Sequence, residues 1–512
     1  MTGVLREQQG RGRMIEELEK RLYQLVISRL NGDAIHYAYY RLALFDLVKK
    51  GIGGFIIFGG QKGEASDFIR ELQSISDIPL FIAADIERGV GQQIKGAASV
   101  PCQMAMAAAL DRTFPGDALL LEDMLKGVAS EALANGINMP LMPVMDVNQD
   151  PDNPIICTRA FSDDPETVSW FGSEYIRILE NEGLISCAKH FPGHGDTAID
   201  SHIALPVIKK SLEDLKEMDL VPFIKAIETG VSSIMIGHLA VQSLDNVPAS
   251  FSKKIINGLL RGKLGFKGLI MTDALDMHAL SNRGNLPVKC INAGVDLLLH
   301  PTDADEAVSR LRSAVASGEI DEGTINNAVG RIVKAKERLG RMVPGEADHE
   351  ANWTLPTRIA EKSITLVKHS PGLLPLTETK EVCLIVAGDF PLLSVSPLKH
   401  YLPLASTLDD IDDVGDVTAL FALFTTVAAW KGSSGIAGKD REKIALLVKQ
   451  ARKAIVISFG SPYVLRYFGE ADILIAAFEP TGQAQEAVIK CLRGEMEFMG
   501  RLPVKLDKWM CK

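Results

Sequence analysis

The sequence predicts an α/β protein in two parts, a (β/α)8 TIM-type barrel followed by a smaller doubly wound α/β sandwich domain. Three observations carry this. Before residue 303, short β-rich apolar runs alternate with amphipathic helical stretches eight times, the pattern of a closed parallel barrel. A polar stretch with Pro344, Gly345 and Pro356 then interrupts the chain, and the alternation resumes beyond it. Finally, polar residues gather at the C-terminal ends of the expected strands, where barrels place their working groups. The expected division is a barrel domain over 1–340, a linker over 341–358 and a second domain over 359–512.

The barrel strands are expected at 22–30, 54–58, 80–86, 138–147, 184–190, 232–238, 268–273 and 295–300. Helices are expected at 116–135, 164–182, 212–229 and 303–317, with a long loop between 87 and 116. In the second domain, a helix over 357–364 leads into strands at 382–387, 417–424, 454–459 and 473–478. Helices follow at 440–451 and 481–493. Gly432-Ser433-Ser434-Gly435 lacks the lysine of a phosphate-binding loop and reads as plain loop.

Composition narrows the function classes. Lys plus Arg number 55 against 65 Asp plus Glu, a formal charge of −10 over 512 residues. Without a basic block, neither nucleic acid nor an anionic membrane is an expected partner. The longest apolar run, 417–430, is too short to span a bilayer and is broken by threonines. Met1 to Arg13 is polar and lacks the apolar core of a secretory leader, and Met14 reads as an alternative start. The seven cysteines (102, 157, 187, 290, 383, 491, 511) are scattered and form no CxxC pair. They fit reduced thiols, and the expectation is a soluble cytoplasmic protein.

The stretch richest in chemistry is Lys189-His190-Phe191-Pro192-Gly193-His194-Gly195-Asp196-Thr197, closing with Asp200-Ser201-His202. A buried strand that ends in Lys and His and opens into a glycine-rich polar loop suits an active site. Asp85 with Glu87, Asp146, His238, Asp273 and His300 end other strands and converge on the same mouth, which favours an enzyme over a binding scaffold. The clustered histidines and aspartates could ligate zinc. Against this, no His-x-His pair ends an earlier strand, and Lys189 would repel a cation. Asp273, opening a turn, could serve chemistry or cap the next helix, with Asp276 as a competing cap.

These segments resemble glycoside hydrolase family 3, specifically its bacterial β-N-acetylglucosaminidase (β-N-acetylhexosaminidase) branch, from about residue 50 to 506. Lys189 to Thr197 with Asp200-Ser201-His202 is similar to that branch's signature loop. Asn148 to Phe161, containing Asp152-Asn153-Pro154 and Arg159-Ala160-Phe161, is similar to its substrate-arginine segment, and Thr272 to Met277 to its nucleophile turn. Ile364 to Lys368, Leu373 to Leu376 and Phe459 to Tyr463 resemble parts of the family's C-terminal domain. Asp85-x-Glu87 is retained, but Gln93 stands where the family carries a sugar-binding arginine.

The resemblance implies a retaining exo-hydrolase of β-linked N-acetylglucosamine. Asp273 would be the nucleophile, and His202, oriented by Asp200, the acid/base. Asp85, Arg159, Lys189 and His190 would bind the hydroxyls and the acetamido group. No metal or cofactor is expected, and the partner is a small carbohydrate, plausibly a peptidoglycan turnover fragment. Phosphorolysis stays open, because a histidine acid/base does not repel phosphate; so does β-glucosidase activity. Glu87 shares a strand face with Asp85 but has no assigned role. His194 and Asp196 read as loop scaffolding, and His238 and His300 as satisfied buried histidines. Because every expected catalytic group precedes residue 303, the second domain is expected to serve stability rather than chemistry.

Overall fold

The structure, a computed structural model, describes residues 18–506 except His202, 278–283, 340–350, Glu378, 390–395 and Ala429. His202 and Cys511 therefore lie outside the described residues. So do Met1 to Arg13, Met14 and the first part of the expected linker.

All eight expected barrel strands form. They are β1 (Val26–Asn31), β2 (Gly54–Phe58), β3 (Phe81–Ala84), β4 (Met139–Pro140), β5 (Cys187–Phe191), β6 (Ser233–Ile236), β7 (Leu269–Thr272) and β8 (Leu298–Leu299). One arc runs β8-β1-β2-β3-β4 and a second β5-β6-β7, all parallel. Parallel bridges Val144↔Lys189 and Met271↔Leu297 join the two arcs, so the ring closes. The strands are almost wholly buried, as continuous apolar runs require when helices cover the outside.

Several strands are shorter than expected. The run 138–147 pairs regularly only at Met139–Pro140, because Pro140 and Pro143 have no N–H to give a ladder. The run 22–30 is in fact a helix, Leu18–Gln24, followed by β1. Leu18, Leu22 and Leu25 recur at helical spacing, which a count of apolar residues mistakes for a strand.

Around the ring lie Pro115–Ala134, Pro165–Asn181, Leu220–Thr229, Ala304–Ala316 and Glu322–Leu339. Asp164 and Asp303 cap two of them by accepting from Thr167 N (2.9 Å) and Glu306 N (2.7 Å). Lys336 of the last helix plugs the barrel floor. Its buried ammonium donates to Gln24 Oε1 (2.9 Å) and Gly53 O (2.7 Å), and burial pulls its pKa down to about 7.

The second domain has strands β9 (Thr365–Lys368), β10 (Val382–Gly388), β11 (Ala405–Thr407), β12 (Thr418–Phe424), β13 (Lys453–Phe459) and β14 (Ile473–Ala476). Their order is β9-β14-β13-β12-β10-β11, parallel except for β9 against β14. The short edge strands β9 and β11 were not expected. The sheet is covered on both faces. Leu420, Ala422 and Phe424 pack with helix Gly482–Leu492. Phe421 and Leu423 face the other way, with helix Gly438–Gln450 and with Cys102, Met104, Ala105, Ala108 and Cys157 of the barrel.

Residues 351–358, expected as linker, belong to a helix, Ala351–Ser363, despite Pro356. Ile359 and Ala360 are buried where this helix packs between the barrel and the second domain, and that burial outweighs the turn-forming composition. Among the described residues, no helix is long and apolar enough to cross a membrane.

Candidate active site

The barrel mouth holds a cleft of about 610 Å³ that brings together Asp85, Glu87, Arg159, Lys189, His190, His194 and Asp273. Lys189, in the middle of β5, is fully buried, and its ammonium lies 2.7 Å from Asp85 Oδ1 and 2.7 Å from Glu87 Oε1. Glu87 in turn accepts both prongs of Arg159, from Nε at 2.9 Å and Nη2 at 2.6 Å. Arg159 Nη1 also donates to Ile155 O (3.0 Å). Burial pushes the Glu87 carboxyl up, but Arg159 and Lys189 overcome it and hold the group well below the usual range. Burial alone would lower Lys189, yet Asp85 and Glu87 keep its pKa raised. The cluster is a charged lattice of two cations and two carboxylates. Lys189 and Glu87 are its buried members, 1% and 4% exposed, whereas the Asp85 side chain is 32% exposed and open to the cleft.

Asp146 organises the next layer. It is fully buried and accepts from His190 N (3.2 Å) and His194 N (2.7 Å), and its Oδ2 lies 2.7 Å from His190 Nδ1. Burial pushes Asp146 up, but His190 brings it below its ordinary value. With Nδ1 engaged, His190 has only Nε2 left for a ligand. The two glycines of the loop are dictated by close approach. A Cβ on Gly195 would sit 1.7 Å from Val147 O, and Gly193, at φ 126°, lies against Asp219. Asp196 is 3.3 Å from Lys210, which also meets the buried Asp219 at 2.8 Å. Asp196 is thus scaffolding, as its sequence position indicated.

Asp273 follows β7, where its amide donates to Ile236 O (3.1 Å) and its Oδ1 accepts from Ala274 N (2.8 Å). The turn is braced from below. His238, fully buried, places Nδ1 2.6 Å from Ser250 Oγ and Nε2 3.0 Å from Ala274 O, the satisfied histidine expected of it. Asp276 Oδ1 meets His300 Nδ1 at 3.0 Å. His300 holds that position with a left-handed φ of 47°. Asp200 is buried, and Ser201 beside it lines the cleft.

The second domain also reaches the cleft. Val427 and Trp430, on the loop after β12, line the mouth. Trp430 is 76% exposed and held at φ 66°. Asp389 fixes the loop by accepting from Thr426 N (2.8 Å) and Thr426 Oγ1 (2.9 Å). A Cβ on Gly432 would lie 3.1 Å from Ile203, so this loop touches the segment that carries Asp200.

Gln93, standing where an arginine was expected, lines the cleft and donates to Asp85 O (3.1 Å). Arg29 and Arg88 bring guanidiniums to the same cleft, Arg29 lying 5.3 Å from the Phe58 ring centre. Arg29 lies within the expected strand 22–30 but was not singled out. Trp430 and Val427 left no signal, since domain docking alone brings them there. The two-residue spacing of Asp85 and Glu87 was the available clue to Glu87.

Comparison with known proteins fits this geometry. Residues 17–335 match the Glycosyl hydrolase family 3 N terminal domain. The chain is 32% identical over 355 residues to a beta-N-acetylglucosaminidase/beta-glucosidase of Cellulomonas fimi, covering 64% of this chain and 61% of that one. It is 31% identical over 383 residues to a beta-hexosaminidase A of Pseudoalteromonas piscicida, covering 66% of this chain and 63% of that one. The matches thus span about three fifths of those relatives. Among solved structures, a family 3 beta-N-acetylglucosaminidase of Paenibacillus sp. str. FPU-7 superimposes with a TM-score of 0.82 at 29% identity, covering 96% of this chain and 99% of that one. A beta-glucoside phosphorylase shares the fold, with a TM-score of 0.86 at 24% identity over 98% of this chain and 96% of that one. A barrel whose strand ends converge on one polar cleft, with a family match across more than half the sequence, settles the lineage: this chain belongs to glycoside hydrolase family 3.

Proposed function

We propose that the protein is a retaining exo-β-N-acetylglucosaminidase. The observation that carries this reading is the placement of Asp273 in one small cleft with Lys189, His190, Arg159 and Asp85. Lys and Arg donate and Asp accepts, so the set can engage both ends of sugar hydroxyl dipoles. A cleft of about 610 Å³ suits a small ligand rather than a polymer strand. The relatives named for N-acetylglucosaminide or hexosaminide cleavage support the same substrate class.

In the proposed mechanism, Asp273 attacks the anomeric carbon and forms a glycosyl ester as the bond to the leaving oxygen breaks. His202 gives that oxygen its proton, with Asp200 orienting the imidazole. His202 then takes a proton from water as the water displaces Asp273, returning both groups to their starting states. The proposed setting is cytoplasmic trimming of peptidoglycan turnover fragments.

The test is turnover of aryl N-acetylglucosaminide and aryl glucoside, with and without phosphate, by wild type and Asp273→Ala. The expected result is hydrolysis of the N-acetylglucosaminide, unaffected by phosphate and abolished in the variant without loss of folding. A 2-fluoro aryl glycoside should label Asp273. Labelling of Asp276, or dependence of turnover on phosphate, would overturn the mechanism.

A further inference from the structure

His194 is the anomaly of the site. It is 1% exposed, yet among the described residues neither Nδ1 nor Nε2 has a hydrogen-bond partner, although the residue lines the cleft. Buried imidazole nitrogens are normally satisfied, and two orphans on one ring are costly. The backbone around it is fixed from every side. Its N–H donates to Asp146 Oδ1 (2.7 Å), and its carbonyl accepts from Asn153 Nδ2 (2.9 Å). Gly193 and Gly195 pack too closely on Asp219 and Val147 to allow a shift. Its ring meets His190 edge-on, with centroids 6.0 Å apart. Several fixed contacts thus hold a ring with two unpaired nitrogens in a residue that lines the cleft, beside the proposed sugar ligands. A structural histidine would have found partners, as His238 does.

We propose that His194 is a sugar-binding residue, whose imidazole offers a ring nitrogen to an uncharged polar group of the substrate sugar. Hydroxyls and acetamides both donate and accept, so either can pair with it. Burial keeps the imidazole neutral, lowering its pKa to about 4 although Asp146 pulls it upward. A neutral ring is what an uncharged partner calls for. It also leaves charge in the cleft to the lattice around Lys189 and to Asp273. The proposal rests on the glycosidase reading and names a further contact in the same site.

The experiment compares His194→Phe, His194→Gln and wild type by titration with N-acetylglucosamine, by aryl N-acetylglucosaminide kinetics and by ligand-free melting. His194→Phe should weaken sugar affinity roughly 10- to 100-fold, the worth of one or two neutral hydrogen bonds. Its ligand-free melting temperature should stay level or rise, because the orphan nitrogens are gone. His194→Gln, which offers a donor and an acceptor, should recover part of the affinity. A structural role would give the reverse pattern, a lower melting temperature with unchanged affinity, and would overturn the proposal. Should the phenylalanine variant fail to fold, the wild type decides the matter through its ¹⁵N-histidine spectrum. One imidazole signal lost in His194→Gln must shift when sugar is added, and its failure to shift refutes the contact. If the wild type turns over glucoside but not N-acetylglucosaminide, the hexosaminidase reading fails, and the same variants are then scored with glucose.

Discussion

Glu87→Gln should cost both stability and substrate affinity, and the arithmetic comes from its surroundings. The carboxylate is 4% exposed and takes contacts at 2.6 and 2.9 Å from Arg159 and 2.7 Å from Lys189. Without its charge, the two cations share only Asp85, which touches Lys189 and is partly open to solvent. Breaking one side of a buried ion pair costs roughly 3–5 kcal/mol. Glutamine keeps one acceptor, so the lower end, about 3 kcal/mol, is expected. With an unfolding entropy of roughly 2.1 cal/mol/K per residue over 512 residues, that lowers the melting temperature by on the order of 3 °C. The pH dependence has a definite sign. Arg159 and Lys189, against the push of burial, hold Glu87 well below its ordinary 4.5. Its stabilisation is thus present above pH 4.5 and lost as pH falls through the lowered folded value. The gap between wild type and variant should be widest at neutrality and close on acidification. In kinetics, an Arg159 no longer gripped at both prongs should lower kcat/KM on aryl N-acetylglucosaminide about 100-fold. Thermal melts at several pH values and initial rates test both effects. Unchanged melting at neutral pH together with unchanged KM would refute the clamp and leave Asp85 as the holder of both cations.

Two further perturbations separate the parts of the site. His202→Ala should slow cleavage of a natural disaccharide by about 10²–10⁴, and an aryl glycoside with a good leaving group far less, since only the former needs a general acid. Azide should partly rescue the aryl reaction; equal losses without rescue would remove His202 from the acid/base role. Trp430→Ala should raise KM for a disaccharide by roughly 2- to 10-fold, the worth of one aromatic contact, with melting unchanged because the ring is 76% exposed. Unaltered KM would show that the second domain only borders the cleft.

Much of the barrel was legible because its strands are buried on both faces and read as unbroken apolar runs, such as Phe55-Ile56-Ile57 or Leu269-Ile270-Met271. Strand ends were legible for the same reason. A polar residue closing such a run has only the mouth to point into, and Asp85, Lys189, His190 and Asp273 all line it. What escaped depends on contacts distant in sequence. Arg159 and Glu87 are 72 residues apart, and their bidentate grip comes from the docking of the 148–161 segment. Helix Ala351–Ser363 was hidden because Pro356 and its polar neighbours describe a linker until the domains close around Ile359. His194 was read as scaffold, and its backbone contact with Asp146 fits that reading.

The second domain illustrates how docking, rather than local pattern, builds a site. Its sheet turns Phe421 and Leu423 toward Cys102, Met104, Ala105 and Cys157, so that the barrel completes the cover that helix Gly438–Gln450 gives this face. Around that apolar contact lie polar ties. Glu479 Oε1 accepts from Cys102 N (2.7 Å), Arg466 meets Asp152 at 2.6 Å, and Tyr463 OH donates to Asn148 O (3.3 Å). Two of the three fall on the segment that presents Arg159, and Cys102 itself lines the cleft. Arg159 is therefore held from in front by Glu87, and its segment from behind by the second domain. With Gly432 against Ile203 and Trp430 at the mouth, the same domain also borders the segment that carries Asp200. Interface substitutions should consequently disturb affinity and stability together, because the contacts that dock the two domains also support the walls of the cleft.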